Sequence, residues 1–287
     1  MTTTMERRHF LGGLLGLSTA AALPSLSQPA AAASKFPVWQ CMRWDKLPGS
    51  FSACGMRDMT IFYESALVTN RSVDLAKLDK VAAQIRSAKP AIVTLNIECW
   101  DPATASGRDK LIRSIERIRS KIPSSVKLGY WGIMPGYAYP DYVAGGSRLT
   151  KQRSANNAMR PLAAKCDWIM PSLYTYDGNR TRWAKFADVI LAEANAYGKP
   201  VMPWVWPQFH DQSPDKNLRY QLIPGGFFRS ELEKARAKAD AVCLWGTRKA
   251  QSGGAIQRLA WQPKASWWRE TQVFLKATGN ASKSCNL

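Results

Sequence analysis

The feature that most constrains this chain is its rhythm, in which short apolar runs alternate with amphipathic segments from Val38 to Trp245. Strand-like runs lie at Val38 to Arg43, Met59 to Tyr63, Ala91 to Glu98, Lys127 to Ile133, Trp168 to Leu173, Val201 to Trp206 and Ala241 to Trp245. Between them fall stripes at helical spacing. Leu75, Leu78, Ala82 and Ile85 follow the capping residues Ser72 and Asp74 and stop before Pro90. Leu111, Ile112, Ile115, Ile118 and Ile122 form a second stripe, Trp183, Phe186, Val189 and Ile190 a third, and Phe228, Leu232 and Ala235 begin a fourth. Repeated β-α units of this kind build one parallel sheet. The spacing predicts a single α/β domain over residues 34–287, a TIM-like (β/α) barrel, distorted, with seven or eight strands. An open doubly wound sheet is the alternative, but no strand runs into a GxGxxG or GxxxxGK[ST] loop, so its nucleotide-binding versions lack support.

Residues 1–33 read as an address. The pair Arg7-Arg8 precedes an apolar stretch, Leu11 to Leu23, diluted by Gly12, Gly13, Gly16 and alanines. That is the form of a twin-arginine export signal, and Ala31-Ala32-Ala33 suits cleavage before Ser34. Pro24, Ser25, Ser27, Gln28 and Pro29 cut the run short of the roughly 20 apolar residues that a membrane anchor needs. The expected location is periplasmic or extracellular, with no transmembrane segment in the mature chain.

The formal charge is +19, of which Arg7, Arg8 and Glu6 supply a net +1, leaving about +18 after the signal. Such a surface favours anionic partners, an acidic polysaccharide among them, or is simply a solvated basic face. The scattered Lys and Arg give no footprint for specific nucleic-acid binding. Six cysteines in an exported chain permit disulfides. Cys99, Cys166 and Cys243 sit in apolar runs as small hydrophobes, which leaves Cys41, Cys54 and Cys285 as the better bridge candidates. With no CxxC and only His9 and His210, a histidine-rich metal centre is excluded, and no cofactor is expected.

In a barrel, function gathers where strands end in their C-terminal loops. Tyr63, Glu98 with Trp100, Tyr174 with Tyr176 and Asp177, Trp206 and Trp245 all follow apolar runs. Most informative is Val93 to Pro102, where an apolar strand ends in a carboxylate. Period two places Thr94, Asn96 and Glu98 on one face, with Asn96 and Glu98 about 6 to 7 Å apart and aimed at one ligand position. A glutamate beside apolar side chains and tryptophan is expected to be partly desolvated, which suits it to protonate a glycosidic oxygen. The competing reading is a structural glutamate paired with an arginine.

Six segments together resemble the hyaluronidase family in order and spacing. They are Met59 to Glu64, Asn96 to Pro102, Leu128 to Gly132, Pro171 to Tyr174, Pro207 to Asp211 and Leu244 to Thr247. The resemblance implies a distorted barrel that hydrolyses a β-linked N-acetylhexosamine with retention, the substrate's own acetamido oxygen being the nucleophile. It places Glu98 on the family's acid/base, Tyr63, Tyr174 and Trp245 on residues lining its sugar site, Tyr137, at a shifted spacing, on another site tyrosine, and Cys285 near the cysteine that closes its barrel. Two positions depart. Asn96 stands where the family has an aspartate, and an amide can orient an acetamido group but cannot offset its charge. Trp206 stands where the family often has arginine, and offers a flat face to a sugar ring instead of a partner for a uronic acid. Asp177 and Asp211 are candidates for a replacement carboxylate, or else turn and capping residues.

Overall fold

The computed structural model describes residues 35–252, 255–281 and 285. The expected export signal, residues 1–33, lies outside them. The chain opens with β1 (Val38–Met42), β2 (Met56–Asp58) and β3 (Thr60–Tyr63), followed by the hairpin β4 (Val68–Thr69) and β5 (Ser72–Val73). Next come α1 (Leu75–Ala88), β6 (Ile92–Asn96), α2 (Ala105–Arg119) and β7 (Lys127–Tyr130). Three helices follow, α3 (Tyr139–Ala144), α4 (Gly146–Ala158) and α5 (Arg160–Ala163), before α6 (Arg180–Asn195), β8 (Trp204–Val205), α7 (Gly225–Lys238) and β9 (Val242–Gly246). The antiparallel pair β10 (Lys249–Ser252) and β11 (Ala255–Arg258) and the helix α8 (Ser266–Ala277) complete it.

The architecture is α/β, and the central pairings are parallel. β2 and β3 are one run of chain interrupted at Met59, whose N–H donates to the Gln40 carbonyl at 2.8 Å. β2 pairs with β1, whereas β3 pairs with β6, and β6 with β7. From there parallel bridges continue through Trp131–Met170, Ile169–Val201 and Ser172–Trp204 to β8, which pairs with β9, which pairs with β1. Neighbour-to-neighbour pairing thus leaves β1 on one side and returns to it on the other.

The two expected strands at 168–173 and 201–206 shrink to bridges and a two-residue strand. Pro171 and Pro203 sit inside them and have no N–H for the ladder. Their carbonyls still accept, Pro171 from Trp204 and Pro203 from Cys243, both at 2.9 Å.

The helices follow their stripes. α1 buries Leu78, Val81, Ala82 and Ile85, and its cap is Asp74, which accepts from the N–H of Lys77. Ser72 belongs to β5 instead. α2 buries Leu111, Ile115 and Ile118, and α6 buries Trp183, Phe186 and Ile190. The twelve tryptophans divide between core and cleft. Trp267 and Trp268 on α8 are fully buried in an aromatic cluster with Trp44, Trp261 and Phe51, where Trp44 and Trp267 meet at 5.0 Å between centroids.

Cys54 and Cys285 form a disulfide across 231 residues, and it ties the tail to the start of the chain. Cys41, the other expected bridge candidate, is a free thiol, because β1 places it in register with Trp245 of β9. Burial pushes its pKa up to about 12, with Arg43 opposing. Among the described residues no helix is long and apolar enough to cross a membrane.

Candidate functional site

Side chains from the C-terminal ends of the parallel strands converge on one cleft. Tyr63 ends β3 and Asn96 ends β6, and the two are directly paired in register. Trp131 follows β7, Trp206 follows β8, and Trp245 lies one residue before the end of β9. Tyr174 follows the bridge at Ser172. The cleft has two lobes, one of about 520 Å³ and one of about 220 Å³. Glu98, Trp131, His210 and Asp211 line both and mark where they meet.

Glu98 reaches this junction by a different route from the one expected. The ladder stops at Asn96, so Glu98 is carried by a loop and not by strand alternation. For the same reason it is exposed, not desolvated as anticipated. Asn96 is 8% exposed and lines the smaller lobe beside Glu98. The loop is anchored at its backbone, since the N–H groups of Glu98 and Cys99 both donate to Glu64 Oε2 at 2.9 Å.

The smaller lobe is an aromatic box. Tyr174 stacks on Trp245 at 5.5 Å with planes 20° apart, and Trp206 meets Trp245 edge-on at 4.9 Å. Trp245 Nε1 donates to the Tyr63 hydroxyl at 3.3 Å, and the Arg43 guanidinium lies 4.9 Å from the centre of the Tyr63 ring. Trp206 is fixed by a 2.8 Å bond from its Nε1 to Gln208 Oε1. Burial pushes the Tyr174 phenol well above its usual range, so it stays a proton donor. Apolar ring faces edged with hydroxyl and amide groups suit a ligand whose C–H faces and hydroxyls alternate, as those of a sugar do.

The larger lobe holds Tyr137 and Trp100, although Trp100 is only 5% exposed and its Nε1 donates to the Arg71 carbonyl at 2.8 Å. Three hydroxyls lining this lobe, those of Tyr137, Ser172 and Tyr176, are buried without a hydrogen-bond partner among the described residues. Such groups are costly unless something satisfies them.

The two candidate aspartates separate. Asp211 lines both lobes, accepts from the Tyr220 hydroxyl at 2.9 Å, and lies 2.9 Å from His210 Nδ1. Asp177 lines neither. It sits in a neighbouring cavity, where it pairs with Arg182 at 2.8 Å, accepts from Tyr139 at 3.0 Å and takes the Asn179 N–H at 2.8 Å. Those bonds hold it in a turn before α6, whose cap is Asn179, accepting from the N–H of Arg182 at 2.9 Å.

His210 was not singled out from the sequence as a site residue, yet it lies at the junction. Its ring stacks on Tyr176 at 4.3 Å and 16°, and its Nδ1 accepts from the N–H of Gln212 at 3.0 Å. Burial lowers its pKa to about 4 against the opposing pull of Asp211, so the imidazole is neutral near pH 7. The available signal was its place in the segment Pro207 to Asp211. Behind the cleft, the fully buried Glu231 accepts from Thr175 at 2.5 Å, and burial drives its carboxyl well above the ordinary range. Among the described residues there is no group of three or more His, Cys, Asp or Glu side chains that could hold a metal.

No family model matches the chain, and no curated protein matches it. Its fold is similar to that of bee venom hyaluronidase. The crystal structure of that protein in complex with a hyaluronic acid tetramer aligns with a TM-score of 0.57 at 13% identity, over 86% of this chain and 97% of that one. The monoclinic crystal structure aligns with a TM-score of 0.54 at 12% identity, over 86% of this chain and 98% of that one. At this identity the likeness is one of fold alone.

Proposed function

We propose that the chain is an exported glycoside hydrolase that cleaves an N-acetylhexosamine-containing glycan, with Glu98 as general acid and base. The observation that carries this reading is the position of Glu98, an exposed carboxylate at the junction of two lobes, one of them an aromatic box. The circuit of parallel pairings supports a closed, seven-stranded barrel with the cleft at its C-terminal mouth. Sugar rings would stack on Trp245, backed by the buried Trp206, and take hydrogen bonds from Tyr63 and Tyr174. Residues 1–33, with Arg7 and Arg8, would direct export, and replacing both arginines with lysine should leave the precursor in the cytoplasm.

In this reading the acetamido oxygen of the substrate attacks the anomeric carbon while Glu98 protonates the leaving oxygen. Asn96 orients the acetamido group through its amide, and Tyr174 donates its phenolic proton to the same group. The neutral side chain at 96 leaves the developing positive charge to be offset from elsewhere. Asp211 is the carboxylate that shares both lobes with Glu98.

A second reading is favoured by the same Asn96. A barrel that keeps the aromatic box but lacks the charge of the aspartate would bind glycans without turning them over. The test of the first reading is release of reducing ends from hyaluronan, chondroitin, chitin oligomers, peptidoglycan glycan and exopolysaccharide. Turnover of an N-acetylated member supports the hydrolase. Saturable binding that is weakened by Trp245→Ala, with no product after prolonged incubation at high protein concentration, supports the binder.

A further inference from the structure

The residue at the centre of the cleft is carried by a stretch of chain with no regular structure, from Ile97 to Trp100, and the ladder that would fix it ends at Asn96. What holds this stretch is the hairpin of β4 and β5 together with the residue that leads into it. Glu64 Oε2 accepts from both Glu98 N–H and Cys99 N–H at 2.9 Å. Arg71 Nη2 donates to the Cys99 carbonyl at 2.7 Å, and the Arg71 carbonyl takes the indole N–H of Trp100 at 2.8 Å. Four consecutive loop anchors therefore lead back to two residues.

The hairpin is built to present them. Val68 pairs with Val73 and Thr69 with Ser72, so Asn70 and Arg71 form a two-residue turn, with φ of 49° and 57°. A turn with both central residues at positive φ favours Asn followed by Gly. Asn70 fits that preference, whereas Arg71 does not, because a side chain with a Cβ is strained there. What arginine adds over glycine is the guanidinium, and this one is bonded to the Cys99 carbonyl. The hairpin is secured to α1, as Lys77 Nζ donates to the carbonyls of Ser65 at 2.9 Å and Val68 at 2.8 Å, and Thr69 bonds Asp74 at 2.7 Å. Burial acts against the charge on Glu64, but the two N–H groups and Arg71 outweigh it and keep the carboxyl below its ordinary range.

We propose that Glu64 and Arg71 form a latch that sets the position of Glu98, so that both are positioning residues for the reaction in the cleft. The proposal rests on the reading of Glu98 as the acid and base. A carboxylate on an unsupported loop would sample positions well outside the geometry a proton transfer needs, and a misplacement of about 1 Å can cost roughly 100-fold in rate. The latch replaces the support that strand pairing gives to Asn96.

Two measurements on the full chain test it, in the wild type, Glu64→Ala, Glu64→Gln and Arg71→Gly. Hydrogen exchange at the amides of Glu98 and Cys99 should speed up by at least about 10-fold in Glu64→Ala, because both lose their shared acceptor, and less in Glu64→Gln, whose one amide oxygen can still accept from both. Turnover should fall by about 10- to 100-fold in Glu64→Ala and Arg71→Gly, in kcat with KM little changed. Arg71→Gly separates positioning from plain stability. Glycine relieves the backbone at this turn, so its thermal midpoint should hold or rise while kcat falls. Unchanged exchange at both amides would overturn the latch. So would full turnover in Glu64→Ala and Arg71→Gly despite faster exchange. If the wild type turns over no glycan, the hydrolase reading falls by itself, and amide exchange alone decides whether the latch exists.

Discussion

Acid should weaken this protein through His210 in particular. The folded chain lowers the pKa of His210 from 6.5 to about 4, burial being the main cause, while Asp211 opposes it. A histidine whose folded pKa lies below its unfolded one binds its proton first in the unfolded chain. Stability is therefore unaffected above the unfolded value, declines as pH falls from about 6.5 toward 4, and stays low below that. At about 1.4 kcal/mol per pH unit the full loss is about 3 kcal/mol, of which about 2 kcal/mol has appeared by pH 5. For a domain of this size the pH 5 loss corresponds to a thermal midpoint lower by roughly 4 to 8 °C. The assay is thermal or urea unfolding from pH 7.5 to 4.5 for wild type and His210→Phe, which keeps a ring against Tyr176 but cannot titrate. The wild type should lose this increment and the variant should not. Parallel losses in the two proteins would mean that His210 does not carry the acid sensitivity and that burial does not hold its pKa down.

Three further outcomes follow from other parts of the molecule. Cys54→Ser should lower stability by up to about 5 kcal/mol, the loop-entropy value for a bridge spanning 231 residues, read as a shift in urea midpoint that reductant reproduces in the wild type and not in the variant. Asn96→Asp should raise turnover of an N-acetylated oligosaccharide by about 10-fold, which is about 1.4 kcal/mol, by restoring a negative charge near the acetamido group. No gain there, together with collapse in Asp211→Asn, would instead make Asp211 the working second carboxylate. Glu231→Gln should leave the thermal midpoint nearly unchanged, since burial already favours the neutral acid beside Thr175, whereas Glu231→Ala should lower it.

Much of the scaffold was legible because its signals are local. The α1, α2 and α6 stripes, the Asp74 cap and the cores of β1, β6 and β9 all follow from apolar spacing within one element. The lengths of the strands around Pro171 and Pro203 were less legible. An apolar run does not reveal where missing N–H groups thin a ladder to single bridges. The hairpin β10–β11, with exposed Ile256, carries little apolar pattern to announce it. In the site, the convergence of Tyr63, Asn96, Tyr174, Trp206 and Trp245 could be expected because each ends an apolar run. The surroundings of Glu98 could not, since they depend on where β6 stops and on a carboxylate 34 residues earlier in the chain that holds its backbone. Asp177 and Asp211 look alike as loop aspartates, and only the three-dimensional partners Arg182 and Tyr139 separate one from the cleft.

The most direct test of the central claim is turnover by Glu98→Gln on whichever N-acetylated oligosaccharide the wild type cleaves, measured together with its thermal midpoint. Because Glu98 is exposed on a loop, the amide should leave the fold and the midpoint unchanged while removing the proton donor, and turnover should fall by at least about 100-fold. Cleavage at the wild-type rate, or a loss of activity that only tracks unfolding, would contradict the assignment of Glu98 as the acid and base.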